Sequence, residues 1–337
     1  MNRSDTLIKN QNLLIGITLR SDLDFMKKNK VAIIGAGAVG SSIAFDLIIQ
    51  GICDEILIID INEKKAFSEA LDLKHCMAYS KHTTKIKASN YTECGDADLI
   101  IITAAAPYIQ GQSRLDMLAT AKKIVKSIID PIMASGFAGH FVVITNPVDI
   151  ISYYIYKLSG LPKNKVIGTG TALDSARLRS ILADLIGVES NSVQAYTIGE
   201  HGDSQMIPWS TVNIAGKTFA DILKDNNDRL GTTDLNQILE ETRRAGFEIA
   251  AGKGTTNYGI AATTVDIVKA VLNDENKIIP VSALLEGEYN QTDVYVGIPA
   301  IVNGKGVSEI VELHLTAEET EKFDQSVTII KDYIAQL

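Results

Sequence analysis

Short, continuously apolar runs recur through the first half of the chain, separated by stretches of helical period. Val31 to Ile34, Glu55 to Ile59, Leu99 to Ile102 and Phe141 to Thr145 have strand length and little polar alternation, the pattern of parallel strands covered on both faces. Between them Ser41 to Gln50, with Ile43, Leu47 and Ile48 at helical spacing, Glu63 to Ser80 and Arg114 to Ile129 read as helices, the last stopped by Pro131. Thr84 to Ala88 adds a short strand and Lys165 to Ile167 a closing one, with Gly168-Thr169-Gly170 as the turn beyond it. Strand alternating with helix predicts an α/β unit with a doubly wound parallel sheet.

The second half mixes its periods. Ala172 to Ile186 reads as a helix, Ser210 to Ala215 as strand-like, and Leu235 to Ala251 as a helix broken by the glycines between Gly252 and Gly259. Ile260 to Leu272 resumes the helix, and Lys277 to Leu284 and Val294 to Val302 read as strands. Asn303-Gly304-Lys305-Gly306 has hairpin chemistry, and Ala317 to Gln336 is an amphipathic helix. The expected architecture is a parallel-sheet domain over residues 26–169, followed by a mixed α+β domain over residues 170–337. Met26-Lys27-Lys28-Asn29-Lys30 reads as the start of the folded chain, and residues 1–25 as a loose extension rather than an arm on a neighbouring subunit.

At 337 residues the chain exceeds the usual single core, which fits two domains. A net charge of -9 without a basic block argues against nucleic acid as partner, so any anionic ligand must be met by individually placed arginines. The apolar runs are strand length and too short to span a bilayer. Cys53, Cys76 and Cys94 have neither the parity of a disulfide framework nor the spacing of a zinc site, so no metal and a reducing cytoplasm are expected.

The turn after the first strand is Gly35-Ala36-Gly37-Ala38-Val39-Gly40, and it opens a helix. In that context GxGxxG is the dinucleotide fingerprint. Gly35 permits the turn, Gly37 lets backbone amides reach a pyrophosphate at the helix N-terminus, and Gly40 lets helix and strand pack closely. Asp60 ends the second strand twenty residues past Gly40, placed to accept ribose hydroxyls and repel a 2′-phosphate. No arginine follows in Ile61-Asn62-Glu63, so NAD is expected rather than NADP.

Candidate chemistry gathers beyond strand ends, where open α/β sheets bind ligands. The segment Thr103 to Arg114 leaves the strand at Ile102, and Pro107 and Gly111 mark it as an irregular lid that would carry Arg114. Asn146, followed by Pro147, ends another strand. Asp174 and Arg177 share a helix face, either as a local ion pair or as an orienter of histidine and a fork for a substrate carboxylate. In Gly199-Glu200-His201-Gly202-Asp203 one imidazole, the side chain best suited to proton exchange near neutral pH, lies between glycines that leave room for a bound molecule.

From about Lys28 onward these motifs, with Ser113-Arg114-Leu115-Asp116, Asn146-Pro147-Val148-Asp149 and Leu173-Asp174-Ser175-Ala176-Arg177-Leu178, follow one order, and in that order the chain resembles L-lactate dehydrogenases of the lactate and malate dehydrogenase superfamily. The resemblance implies a Rossmann domain and hydride transfer between NADH and the keto carbon of a 2-oxo acid in glycolysis and fermentation, by a cytoplasmic dimer or homotetramer. His201 then gives the proton, Asp174 fixes its tautomer, Arg177 grips the carboxylate and Arg114 polarises the carbonyl. Asn146 and Thr256 line the substrate site. The cofactor set becomes Gly35, Gly37, Ala38, Val39, Gly40, Asp60, Thr103, Ala104 and Asn146.

Tyr108 occupies the lid position that carries arginine in similar malate dehydrogenases and glutamine in typical lactate dehydrogenases. Without a positive charge there, oxaloacetate would bury a second carboxylate unpaired. Ala245-Gly246-Phe247 has glycine where alanine is expected. That stretch, with Ser204-Gln205 and Trp209-Ser210-Thr211-Val212, resembles L-2-hydroxyisocaproate dehydrogenases, so pyruvate is the first expectation and larger branched or aromatic 2-oxo acids the alternative. Arg179 matches lactate dehydrogenases activated by fructose 1,6-bisphosphate, but Gln194 stands where they carry histidine, which predicts weak or absent activation. A non-catalytic NAD-binding protein is the remaining class, and the presence of His201, Asp174 and Arg177 argues against it.

Overall fold

The computed structural model describes residues 29–105 and 114–337, and the side chains of 114–117 lie outside that description. The extension 1–25 and the lid residues Pro107, Tyr108 and Gly111 therefore lie outside the described residues. The first half contains β1 (Lys30–Ile34), α1 (Ala38–Gln50), β2 (Glu55–Ile59), α2 (Glu63–His75), β3 (Lys85–Ala88) and β4 (Leu99–Ile102). It continues with α3 (Arg114–Ala134), β5 (His140–Val143), α4 (Val148–Ser159) and β6 (Val166–Gly168). The apolar runs of β1 and β4 are buried along their whole length, as expected of central parallel strands.

Next come α5 (Ala172–Ile186), β7 (Val193–Gln194), β8 (Asn213–Ile214), β9 (Lys217–Thr218), α6 (Phe219–Asp225) and α7 (Asn227–Leu230). The chain ends with α8 (Leu235–Lys253), α9 (Tyr258–Leu272), β10 (Lys277–Glu286), β11 (Thr292–Asn303), β12 (Gly306–Ile310) and α10 (Ala317–Ile334). One sheet runs β12-β11-β10-β6-β5-β4-β1-β2-β3, with β7, β8 and β9 forming a second, small one. Strands β1 to β6 are parallel, and β10 joins them antiparallel through the single pair Ser282 and Gly168. Strand order reverses at β1, which has β2 on one side and β4 on the other, so a crevice opens there at the carboxyl ends.

The main core continues from Val31 and Ile101 in the parallel strands to Val296 and Phe323 near the C-terminus. A second core, including Leu178, Val193, Phe219 and Ile238, lies wholly in the later half. Helix α1 packs on α9, bringing the glycine loop's helix against the later half.

Some expected boundaries move. Helix α3 runs through Pro131 to Ala134 instead of stopping before it. Proline removes one hydrogen bond, but Ile128, Ile129 and Ile132 on that last stretch are all buried, and at ~1.5 to 3 kcal/mol per buried aliphatic side chain their packing offsets the loss. The expected strand Ser210 to Ala215 shrinks to β8, because Glu319 of α10 accepts both the Ser210 N–H at 2.9 Å and its hydroxyl at 2.5 Å. At its other end Ala215 and Gly216 take φ of 52° and 80° and turn the chain straight into β9. Helix α1 begins at Ala38, three residues before Ser41, because Gly37 is its N-cap.

Candidate active site

The crevice beside β1 is built from the glycine loop and the end of β4. Gly35 has φ of 110°, and a Cβ there would lie 2.5 Å from the Thr103 hydroxyl oxygen. That hydroxyl donates towards the carbonyls of Ile34 and Gly35, at 3.0 and 3.1 Å, and ties the two strand ends together. A Cβ on Gly40 would lie 1.9 Å from the Gly35 carbonyl oxygen, so helix and turn touch backbone to backbone. Gly37 is different: nothing lies within 4 Å of its Cβ position, and Ala38 and Val39 follow it into α1. Ala104 accepts the Thr145 hydroxyl at 2.8 Å.

Asp60 closes this cradle from β2. One of its oxygens accepts the Ala36 N–H at 2.7 Å and the other the Asn62 N–H at 2.8 Å. Each carboxylate oxygen has a second lone-pair site, so capacity to accept from a ligand remains. Asn146 is exposed at the end of β5, joined to Pro147 by a cis peptide bond.

Helix α5 and the loop after β7 supply the second cluster. Asp174, 1% exposed in the first turn of α5, takes Nδ1 of His201 on Oδ2 at 2.6 Å and Nη1 of Arg177 on Oδ1 at 2.9 Å. One carboxylate thus holds an imidazole and a guanidinium. With Nδ1 engaged, Nε2 is the ring nitrogen available to a substrate oxygen. Burial by itself would lower the pKa of His201; the charge and hydrogen bond of Asp174, then the charge of Asp149, outweigh burial and Arg177 and carry it up to about 9. Burial would raise Asp174, but the His201 charge and hydrogen bond, then Arg177, hold it below the usual carboxylate range.

The glycines around His201 serve the protein's own groups, contrary to the expectation that they leave room for a ligand. A Cβ on Gly199 would lie 2.6 Å from the Ser326 hydroxyl oxygen, and one on Gly202 would lie 2.8 Å from the Glu200 carboxyl carbon. Ser326 accepts the Glu200 N–H at 2.8 Å, and Gly199 exchanges backbone hydrogen bonds with Gly297 of β11 at 2.9 and 3.0 Å. Close packing and a φ of 95° require glycine at Gly199, whereas at Gly202 the neighbour is the carboxyl end of the Glu200 side chain.

Gly246 of α8 faces Arg177, whose Nη2 would lie 3.1 Å from a Cβ placed there. Thr256 is partly buried, and its neighbour Asn257 donates to the Ser42 hydroxyl of α1 at 2.8 Å, tying that segment to the cradle's helix. Arg114 is the first residue of α3. Arg179 donates to the Ser175 carbonyl at 3.3 Å, and Gln194 is exposed on β7, which packs against α5.

Asp149 escaped the sequence reading as a residue with a role of its own. It is 1% exposed and accepts the His201 main-chain N–H at 2.8 Å and the Ser282 hydroxyl at 2.5 Å. The available signal was an acid followed by Ile150 and Ile151 at the start of an apolar helix.

The profile of the lactate/malate dehydrogenase NAD binding domain matches residues 29–168, and that of the lactate/malate dehydrogenase alpha/beta C-terminal domain matches residues 171–337. The chain belongs to the lactate/malate dehydrogenase family. The L-lactate dehydrogenase 3 of Bacillus cereus is 49% identical over 305 residues, 90% of this chain and 96% of that protein. The L-lactate dehydrogenase of Macrococcus caseolyticus is 48% identical over 92% of this chain and 98% of its own. The ligand-bound crystal structure of the minor L-lactate dehydrogenase from Enterococcus mundtii superposes with a TM-score of 0.89 at 42% identity, covering 92% of this chain and 98% of that one.

As in its family, the first domain binds NAD, and the residues present fit that cofactor. The open space at Gly37 lies at the N-terminus of a 13-residue helix with no acid in its first turn, which suits a pyrophosphate, and Asp60 at the end of β2 suits a ribose. Among the described residues no cluster of histidine, cysteine or acid is arranged to hold a metal, the three cysteines are free thiols, and no helix is long and apolar enough to cross a membrane.

Proposed function

We propose that this chain is an NAD-dependent L-lactate dehydrogenase that interconverts pyruvate and L-lactate. The observation that carries the reading is the shared carboxylate of Asp174, which holds a proton donor and a carboxylate anchor in one cluster. When bound, NADH supplies the hydride to the keto carbon. The protein's residues handle the rest of the balance. His201, held protonated, gives its proton to the oxygen that becomes the hydroxyl, and Asp174 stabilises the charged imidazole before that transfer. The guanidinium of Arg177, held on one side by Asp174, presents its remaining donors to the substrate carboxylate in a forked contact. Arg114 polarises the carbonyl from the start of α3, and Asn146 and Thr256 complete the substrate wall. In lactate oxidation the same imidazole accepts the proton.

A second reading, preference for larger 2-oxo acids, is favoured by Gly246. The missing methyl lies directly against the anchoring guanidinium. One methylene is worth only ~1 to 3 kcal/mol of discrimination, so the two substrate classes overlap.

Following NADH absorbance with pyruvate, 2-oxoisocaproate, phenylpyruvate and oxaloacetate tests both readings. Pyruvate turnover is expected, with oxaloacetate the poorest substrate. No turnover of any of the four would leave only NAD binding. Tyr108→Arg is expected to raise oxaloacetate use, and fructose 1,6-bisphosphate to lower the KM for pyruvate weakly or not at all, since Gln194 carries no charge.

We further propose self-association as a dimer or tetramer. Phe45 and Ile49 on α1, and Phe67 and Leu71 on α2, are exposed apolar pairs one helical turn apart, which an interface between subunits would cover. Three free thiols suit a cytoplasmic setting. Sedimentation velocity showing only monomer would remove the oligomer.

A further inference from the structure

The proton-transfer reading accounts for Asp174 but leaves a second buried acid unexplained. Asp149, in the first turn of α4, has both oxygens engaged by different parts of the fold: His201 N–H from the loop after β7, and the Ser282 hydroxyl from β10. A neutral amide or an apolar side chain would fill the same space with less desolvation, so stability alone gives no reason for an acid there. The acid also spans the architecture, because α4 follows the NAD-binding strand β5 while the loop belongs to the C-terminal domain.

We propose that Asp149 is a positioning residue for His201, fixing the main chain that carries the imidazole and placing a second negative charge beside it. This rests on His201 being the proton donor. Three charges act on the ring: Asp174 and Asp149 favour its protonated form, and Arg177 opposes it. Two charged neighbours act on Asp149 in turn. His201 favours its ionised form and Glu200 opposes it, while β10 contributes only the Ser282 hydroxyl, which also favours ionisation. Burial is the largest influence and pushes Asp149 up to about 6.

Asp149 is therefore ionised at neutral pH and protonated below about 6, while His201 keeps its proton up to about 9. Between those limits the donor is charged and flanked by two carboxylates. Below the lower one the Ser282 contact survives by inversion, the hydroxyl accepting instead of donating, but the charge beside His201 is gone. The expected result is a lower His201 pKa wherever Asp149 carries no charge, read in the basic limb of the reaction.

Asp149→Asn keeps the size of the side chain and an oxygen for the His201 N–H, and its amide can donate to the Ser282 oxygen. In this variant the basic limb of kcat/KM for pyruvate reduction is expected to move down by about half a pH unit or more. NADH affinity should stay within about twofold, because the cradle is untouched. His201→Gln is the control, and its activity is expected to fall ~100-fold or more. If His201→Gln keeps its rate, the reading of His201 fails. If it is inactive while Asp149→Asn retains the parent basic limb and the parent kcat/KM, the Asp149 proposal alone is overturned. Should Asp149→Asn not fold, the ring resonances of His201 in the parent protein decide: they must report a second titration near 6 as the neighbouring acid loses its charge, and a single step near 9 overturns the proposal.

Discussion

Gly246 and Arg177 meet across α8 and α5, with the guanidinium Nη2 3.1 Å from where a Cβ on the glycine would stand. Alanine at that position fits only if the guanidinium yields by a few tenths of an ångström, and Asp174 restrains it from doing so. Gly246→Ala is therefore expected to raise the KM for 2-oxoisocaproate by about fivefold or more relative to pyruvate. The fold is expected not to gain the ~0.5 to 1 kcal/mol that alanine usually brings over glycine inside a helix, since crowding against the restrained guanidinium offsets it. Steady-state kinetics and thermal melts read the two effects separately. Unchanged relative preference would show that this wall does not select the side chain.

The glycine loop allows a cleaner contrast. At Gly37 an added methyl meets no protein atom, whereas at Gly40 it meets the Gly35 carbonyl. Gly37→Ala should leave the melting temperature unchanged while weakening NADH binding about tenfold or more, because the methyl fills cofactor space. Gly40→Ala should lower the melting temperature itself, with a loss of about 2 kcal/mol or more from backbone overlap. Fluorescence titration with NADH and calorimetry measure the pair. Equal melting losses in both variants would contradict the assigned roles.

Asp60 ties the glycine loop to the end of β2, and a charge change tests the recognition role proposed for it beside that structural one. Asp60→Asn keeps an acceptor for the Ala36 N–H but drops the charge that repels a 2′-phosphate. The expected outcome is a fall of about tenfold in the preference for NADH over NADPH, with stability reduced by about 1 kcal/mol as one amide face meets the Asn62 N–H. An unchanged cofactor ratio would remove Asp60 from recognition.

Two raised pKa values, those of His201 and Asp149, act on stability with the same sign. His201 rises from 6.5 to about 9, so its contribution to folding is complete below 6.5 and is lost as pH climbs through about 9. Asp149 rises from 3.8 to about 6, so the folded state is favoured by its proton below 3.8 and loses that advantage as pH climbs through about 6. Melting temperatures measured across this range should show two descending steps. His201→Gln should abolish the upper step, and Asp149→Asn the lower one. A parent profile flat from 6.5 to 9 would refute the shifted imidazole.

The parallel half was legible because its strands are buried on both faces, and the residues that satisfy such a position form continuous apolar runs such as Leu99 to Ile102. The glycine loop was legible for a related reason: backbone overlap at Gly40 and a left-handed turn at Gly35 exclude other residues, so geometry is written directly into the amino-acid type. Local rules failed where distant partners intervene. Pro131 is carried inside a helix by buried isoleucines, and Ser210 is drawn out of a strand by Glu319, more than a hundred residues later.

What the sequence by itself determined was the set of chemical groups, the strand and helix that form the nucleotide cradle, and the i, i+3 pairing of Asp174 with Arg177, all short-range or compositional. What only the tertiary structure decided was which groups meet. Asp149 touches the backbone of His201 and the hydroxyl of Ser282 across 52 and 133 residues, and Gly199 is glycine to admit Ser326. Periodicity reports which face of an element is buried, but burial is satisfied by any neighbour of the right size. The identity of the neighbour, and therefore the charge next to the imidazole, is fixed only when the two halves pack around a common core.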